Sequence, residues 1–409
     1  MGMAGLCRDQ MAGNILANSI LQFFLANIIL QEYRAPSPEV PMSAPLIGPR
    51  IKARREELKL SQEDLSARLG FKDRQTLSTI ETGERRVSAE ELLRASQLLQ
   101  KPVEFFTDPF LLVGEGKFSW RQDGVPGFKL TAYEETAGRL IAAFRVLAPE
   151  FGQAPNLLRH RLGLEKSSTF EEAIAAAEAF AAVMKLGDVP AQRLATVMEQ
   201  ELNILVLMVD PEEGVSGAAC RLPNLDAVLI NRNEVPGRRH YDLAHELFHI
   251  LTWDSMPPAH VEDNRTTSKD RVEQLADNFA AALLMPRPVL ARFGAWDHLD
   301  SDPLVAKLNN TAEELQVTAA ALKWRLVTAG LLKRVTAKAV DDKRLRNNGQ
   351  AATSRAVPPL FSKNFVKLVA RALEEGRLSV RRTASLLGLM VDDLPDVFAA
   401  HGVSADVDL

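Results

Sequence analysis

The chain has 409 residues, 49 Lys+Arg against 53 Asp+Glu, a net charge of -4 and two cysteines, Cys7 and Cys220. Hydrophobic residues at 46% and charged residues at 25% make a globular composition, which excludes a disordered chain. A disulfide scaffold, a Cys-rich zinc module and a wholly basic nucleic-acid coat are excluded as well.

In chain order, residues 1–45 differ from the rest. No ionisable residue occurs from Gln10 to Gln31, yet Asn14, Asn18, Gln22 and Asn27 interrupt the apolar run. The segment reads as a poorly ordered leader or an overlong start, with translation beginning at Met42, and not as a membrane anchor. Residues 46–108 read as short punctuated helices. Ser61 with Asp64, and Ser88 with Glu91, are capping-box starts, and Gly70 and Gly83 are stops. Leu65, Leu69, Leu77, Ile80, Leu92 and Leu93 fit its core. Residues 109–165 read as a connector, irregular at first and then helical.

Residues 166–335 form the largest unit. Its pattern is a helix pair, then strands Ile204–Val209, Val215–Cys220 and Ala227–Asn231, then two long helices about Gly237–Trp253 and Ser268–Leu284, then further helix over 304–334. Residues 336–358 read as a basic linker and 359–409 as a C-terminal helical region. The fold class is therefore mainly α with a small β-sheet (α+β).

The chemistry concentrates at His240-Tyr-Asp-Leu-Ala-His245-Glu246-Leu-Phe-His249. His245 and His249 lie four apart on a helix, so both imidazoles face one side and can reach one zinc. Glu246 swings beside the metal, where it can act as general base on a water. The third ligand has two candidates. Glu273 lies on the next helix, four before Asp277, and His260 lies beyond Pro257-Pro258. The metzincin pattern is excluded, because Thr252 and Ser255 stand where it needs glycine and histidine. Glu273 and Asp277 resemble the gluzincin arrangement, in which the first acid binds metal and the second orients a ligand histidine. The cofactor expectation is one zinc per chain, with manganese or another divalent metal as alternatives. Arg238, Arg239, His240, Tyr241 and His260 are candidates for stabilising an oxyanion.

The run Arg238–Leu251, followed by Glu273-Gln-Leu-Ala-Asp-Asn-Phe-Ala-Ala-Ala-Leu-Leu-Met-Pro286, resembles the ImmA/IrrE metallopeptidase family over about residues 170–335. The resemblance implies His245, His249 and Glu273 as ligands and Glu246 as catalytic acid/base. It further implies a zinc metalloendopeptidase that cuts a repressor or antitoxin-like protein in stress response or mobile-element control. Members often carry Asn where this chain has Asp277.

Residues 46–107 are similar to Xre-type (lambda-repressor-like) helix-turn-helix domains, on Leu60-Ser-Gln-Glu-Asp-Leu-Ser-Ala-Arg-Leu-Gly70 and Thr76-Leu-Ser-Thr-Ile-Glu-Thr-Gly83. The likeness implies double-stranded DNA as partner of residues 46–108. Gln62 at a helix start can donate to a phosphate. Lys72, Arg74, Gln75, Thr76, Ser78 and Thr79 are placed to reach bases or phosphates, and Arg85 and Arg86 to follow onto the backbone. The combined expectation is a cytoplasmic, DNA-binding regulatory peptidase without a membrane partner, with a homodimer as a further expectation. The alternative is a transcriptional regulator whose metal domain senses or assembles without hydrolysis.

Overall fold

The computed structural model describes residues 30–34, 46–153, 158–263, 270–297, 299–350 and 357–404. In chain order the elements are β1 (Leu30–Arg34), α1 (Ile47–Glu57), α2 (Gln62–Leu69), α3 (Arg74–Glu81), α4 (Ala89–Leu98), α5 (Val103–Thr107), β2 (Lys117–Gln122), α6 (Gly127–Glu150), β3 (Leu158–Leu162), α7 (Phe170–Val183) and α8 (Pro190–Gln200). They continue with β4 (Ile204–Val209), β5 (Val215–Arg221), β6 (Asp226–Asn231), α9 (Pro236–Thr252), β7 (Val261–Asp263), α10 (Arg271–Leu284), α11 (Arg287–Ala291), α12 (Ser301–Glu314), α13 (Ala319–Thr328), α14 (Arg334–Ala339), α15 (Lys363–Glu374), α16 (Val380–Leu387) and α17 (Leu394–Ala400). The fold is mainly α with a small mixed sheet of five strands and a separate two-stranded antiparallel pair, β1 with β3.

Helices α1–α5 close around Ile51, Leu65, Leu69, Leu77, Ile80, Ala95, Leu99 and Phe106. The punctuation has a direct physical origin. Ser61 accepts from the Asp64 amide and Asp64 from the Ser61 amide, satisfying two orphan donors at the start of α2. Gly70 ends the same helix in the left-handed conformation, at φ 80°. Asp73 caps α3 and Ser88 caps α4. Leu93, expected in this core, is 56% exposed on the outer face of α4, and Ala95 and Leu99 fill the interior instead. A turn of α4 buries only one stripe, and Leu93 lies off it.

The sheet has five strands in the order β4-β6-β5-β2-β7. β4 runs parallel to β6, β5 antiparallel to both β6 and β2, and β2 parallel to β7. Both faces are buried, so the central strands read as near-continuous apolar runs. Ile204, Val206, Ala219, Val228 and Ile230 face the core made with α7–α10, α12 and α13. Leu205, Leu207, Ala218, Cys220, Ala227 and Leu229 face a second core, made with α6 and α15–α17.

Three expectations are corrected here. The connector supplies a strand, β2, and the helix α6, and the C-terminal region packs with α6 on the sheet, so the two build one covering layer. The 336–358 segment is not a free linker over its first part. α14 and a 3-10 turn over Asp342–Gly349 pack beside α12 and α13, with Asn348 accepting from Ala319 N at 2.9 Å and donating to Val317 O at 3.0 Å. Within the supposedly unstructured 1–45 segment, β1 pairs antiparallel with β3. The uncharged stretch is otherwise outside the described residues, through Ile29. No helix among the described residues is long and apolar enough to cross a membrane.

Candidate metal centre and nucleic-acid interface

α9 begins at Pro236, whose fixed φ and missing amide suit a first helical turn. Its first turn presses on the turn between α12 and α13, where a Cβ on Gly237 would lie 2.4 Å from the Val317 carbonyl carbon. From Asp242 to Thr252 every residue of α9 is buried, between the sheet on one side and α10 on the other. Ala276 and Ala280 of α10 are fully buried, and such small side chains permit close helix approach.

His245, His249 and Glu273 offer one ligand atom each, all within 4.8 Å of one another. His245 Nε2 is 3.1 Å from His249 Nε2 and 3.2 Å from Glu273 Oε2, and His249 Nε2 is 3.5 Å from Glu273 Oε1. On the far side of the first ring, His245 Nδ1 lies 3.2 Å from Asp277 Oδ1. The Tyr241 hydroxyl donates to Asp277 at its carbonyl (3.0 Å) and at Oδ1 (3.3 Å). His260 is excluded from this group. It is exposed, and its Nε2 meets Glu134 Oε2 at 2.7 Å.

Glu246 is 1% exposed and rests against β5. A Cβ on Gly217 would lie 3.7 Å from Glu246 Cγ, an ordinary contact, and tighter on the β6 side, 3.0 Å from Leu229 O and 3.3 Å from Ile230 Cδ1. Glu246 Oε1 is buried with no hydrogen-bond partner. Burial pushes the Glu246 carboxyl up to about 7, against the opposing pull of His245 and Arg121. Burial also works to lower both imidazoles. At His245 the Asp277 and Glu273 carboxylates outweigh it and the pKa rises, whereas His249, beside a charged His245, falls. The two imidazoles thus sit beside the Glu273 and Asp277 carboxylates, an environment suited to a cation. Two imidazole nitrogens, one carboxylate and the orphaned Glu246 oxygen fit a divalent metal of zinc type.

Two residues at the site escape a reading of the sequence. Arg121 of β2 is buried, and its Nη1 donates to Asp242 Oδ1 at 2.8 Å, while Nη2 stands 3.9 Å from Asp277 Oδ1. Asp242 is 1% exposed. A signal for each exists: Phe118 and Trp120 alternate with polar residues as in a strand, and Asp242 precedes Glu246 by four on one helix face. The oxyanion candidates are engaged elsewhere. His240 Nδ1 donates to Gln316 O at 2.8 Å, Arg239 Nη1 to Arg232 O at 3.1 Å, and Arg238 stands between Glu234 and Asp242.

In the helical module, Lys72, Arg74, Gln75 and Arg86 are exposed on α3 and its flanks, while Thr76, Ser78 and Thr79 are half-buried. Gln62 and Arg85 have internal partners. Gln62 Nε2 donates to Glu81 Oε2 at 2.8 Å, and Arg85 forks onto Glu91 at 2.8 and 3.1 Å. Behind α3, the buried Arg55 grips Glu81 with two bonds of 2.6 and 2.9 Å.

Fold and site thus define a helix-turn-helix module joined to a mixed-sheet unit that carries a His/His/Glu cluster. The family comparisons give the particulars. Residues 51–106 match the helix-turn-helix family model, and residues 200–327 match that of the IrrE N-terminal-like domain, a peptidase family. The two matches, each over less than half of the chain, agree with the resemblance of residues 46–107 to Xre-type helix-turn-helix domains and of about residues 170–335 to the ImmA/IrrE family. No curated protein matches it. Among solved structures, it is similar to the apo competence regulator ComR from Streptococcus vestibularis, at 13% identity over 88% of this chain and 99% of that one, with a TM-score of 0.15. It is also similar to Bacillus thuringiensis PlcR in complex with the peptide PapR7 and DNA, at 13% identity over 88% and 97%, with a TM-score of 0.16. ComR from S. thermophilus, in complex with DNA and its signalling peptide ComS, matches at 12% identity over 87% and 100%, with a TM-score of 0.16.

Proposed function

We propose that this chain is a DNA-binding regulatory zinc metallopeptidase that cleaves a partner repressor or antitoxin-like protein. The observation that carries the reading is the convergence of His245, His249 and Glu273 within 4.8 Å, next to a buried Glu246 with an orphaned oxygen. His245, His249 and Glu273 would hold the metal, and Asp277 would fix the His245 ring through Nδ1. Zinc bound there supplies Lewis acidity toward water and a peptide carbonyl. Glu246, whose carboxyl burial pushes above the usual carboxylate range, takes a proton from the attacking water and returns it to the leaving amine. The helix-turn-helix module brings the enzyme to DNA, with Arg74 and Gln75 as the exposed contacts at the start of α3.

The test pairs metal content with cleavage. The full chain is purified with zinc and offered repressors encoded next to its own gene. The wild type is expected to carry one zinc and to cut one of them. Glu246→Gln is expected to keep the metal and lose cleavage, and His245→Ala to lose both. Zinc uptake with every candidate substrate left intact by the wild type would favour the metal-sensing regulator instead.

A further inference from the structure

We propose that Arg121 is a positioning residue for the metal site, acting on His245 through Asp277. The proposal rests on the zinc reading above and adds to it a residue from outside the matched peptidase span.

Three groups converge on one carboxylate oxygen. Asp277 Oδ1 is 3.2 Å from His245 Nδ1, 3.3 Å from the Tyr241 hydroxyl and 3.9 Å from Arg121 Nη2. The other arm of the same guanidinium holds Asp242 at 2.8 Å. A guanidinium is a planar fork with donors in fixed directions, so anchoring one arm on Asp242 fixes where the other arm delivers its charge. Anchoring Asp242 also ties the strand to α9, the helix that carries both histidines. Taking an arginine out of water is costly unless its partners are well placed. Packing alone does not call for a charge at this position. An apolar residue would suffice to fill the space beneath α9 if Asp242 were apolar too.

Placement strengthens the point. β4, β5, β6 and β7 all lie within residues 200–327, yet β2 inserts between β5 and β7 from residues 117–122. Arg121 is in register with Gly217, whose neighbour on α9 is Glu246, with Cγ 3.7 Å from where a Cβ would stand. The run leading into β2 is gripped by the helix-turn-helix module, where Arg50 Nη1 and Nη2 donate to Asp108 O at 2.8 Å and Leu111 O at 2.7 Å. One stretch of polypeptide therefore serves both the DNA-reading unit and the metal site.

The experiment uses the full chain as wild type, Arg121→Gln, Asp277→Asn and the double variant. Zinc affinity is read by chelator competition, and ligand geometry by the visible d–d absorption of the cobalt(II)-loaded protein. Arg121→Gln is expected to weaken zinc about tenfold and to shift the cobalt bands, as for other residues supporting a ligand histidine. In the Asp277→Asn background the same change is expected to cost less than about threefold, because the shared carboxylate is gone. A folded Arg121→Gln protein with wild-type affinity and an unchanged cobalt spectrum overturns the proposal. So does full additivity in the double variant. If Arg121→Gln does not melt cooperatively, Arg121→Lys decides by the same two readings, since an ammonium can keep Asp242 but cannot fork onto Asp277. A wild type that takes up neither metal removes the zinc reading itself, a result distinct from any shown by the variants.

Discussion

Asp277 Oδ1 lies 3.2 Å from His245 Nδ1, on the side of the ring opposite the nitrogen that faces His249 and Glu273. A carboxylate beside Nδ1 favours the tautomer with its proton on that nitrogen, which leaves Nε2 as the bare ligand nitrogen. Asp277→Ala is therefore expected to weaken zinc by about 10–100-fold, with the fold retained. Asp277→Asn keeps an acceptor oxygen and is expected to lose less. Chelator competition measures both, and equal affinity in Asp277→Ala and wild type would show that the ring is held by packing alone.

Gly48 tests the independence of the two units. A Cβ there would lie 1.8 Å from Ile80 O and 2.9 Å from its carbonyl carbon, so α1 meets α3 backbone to backbone. Gly48→Ala must push the helices apart, and overpacking of this kind typically costs about 1–3 kcal/mol. The helical module is expected to melt earlier and to lose DNA binding, while zinc content stays at the wild-type level. Loss of zinc in this variant would show that the Arg50 grip on the run into β2 also sets the metal site.

The histidine pair and its acids are legible in the sequence because they depend on helix geometry alone. A spacing of four puts His245 beside His249, and Glu273 beside Asp277, whatever the rest of the chain does. The caps at Ser61 and Ser88 are legible for the same reason, since their partners sit three residues away. Arg121 is different. Its meaning arises only when β2 pairs with β5, bringing it to Asp242 across 121 positions of sequence. Glycines on either side of β2 imitate an irregular connector, and a short strand inserted between others carries little local signal. The Asp342–Gly349 turn misleads in the opposite sense. It is polar in composition, yet Asn348 is buried because its amide satisfies backbone groups at Val317 and Ala319. Leu93 shows the remaining difficulty, because an apolar residue on a short helix does not reveal which stripe will be covered.

Arg74 and Glu81, at opposite ends of α3, separate contact from stability. Arg74 is exposed at the start of the helix, and Arg74→Ala is expected to lower DNA affinity and reduce the salt slope by about one, without moving the melting temperature. Glu81 is buried under two bonds from Arg55. Glu81→Ala removes both of those bonds and leaves Arg55 with Leu60 O at 2.9 Å and the half-exposed Glu56 at 3.4 Å, and breaking a buried pair in this way typically costs up to about 3–5 kcal/mol. Its DNA affinity is expected to fall only as far as the module unfolds, and to recover on cooling. A stability loss in Arg74→Ala equal to that in Glu81→Ala would contradict this division.

His240 gives the pH dependence. It is held among residues of α9 and the α12–α13 turn, with Nδ1–H donating to Gln316 O at 2.8 Å. Burial pushes its pKa below the usual histidine value, with Arg239 adding to the effect and the Gln316 bond opposing it. The unfolded chain then takes up a proton first as pH falls. Stability that is full above the unfolded pKa of about 6.5 is lost as pH drops through the folded value. His240→Gln removes this titration while leaving a side chain able to donate to Gln316. Urea unfolding of both proteins between pH 7.5 and 5 is therefore expected to show the wild type losing stability faster than the variant over about that range. The metal-site histidines are present in both proteins, so their titration cancels in the difference. Parallel pH profiles would show that His240 is protonated equally in the folded and unfolded chains.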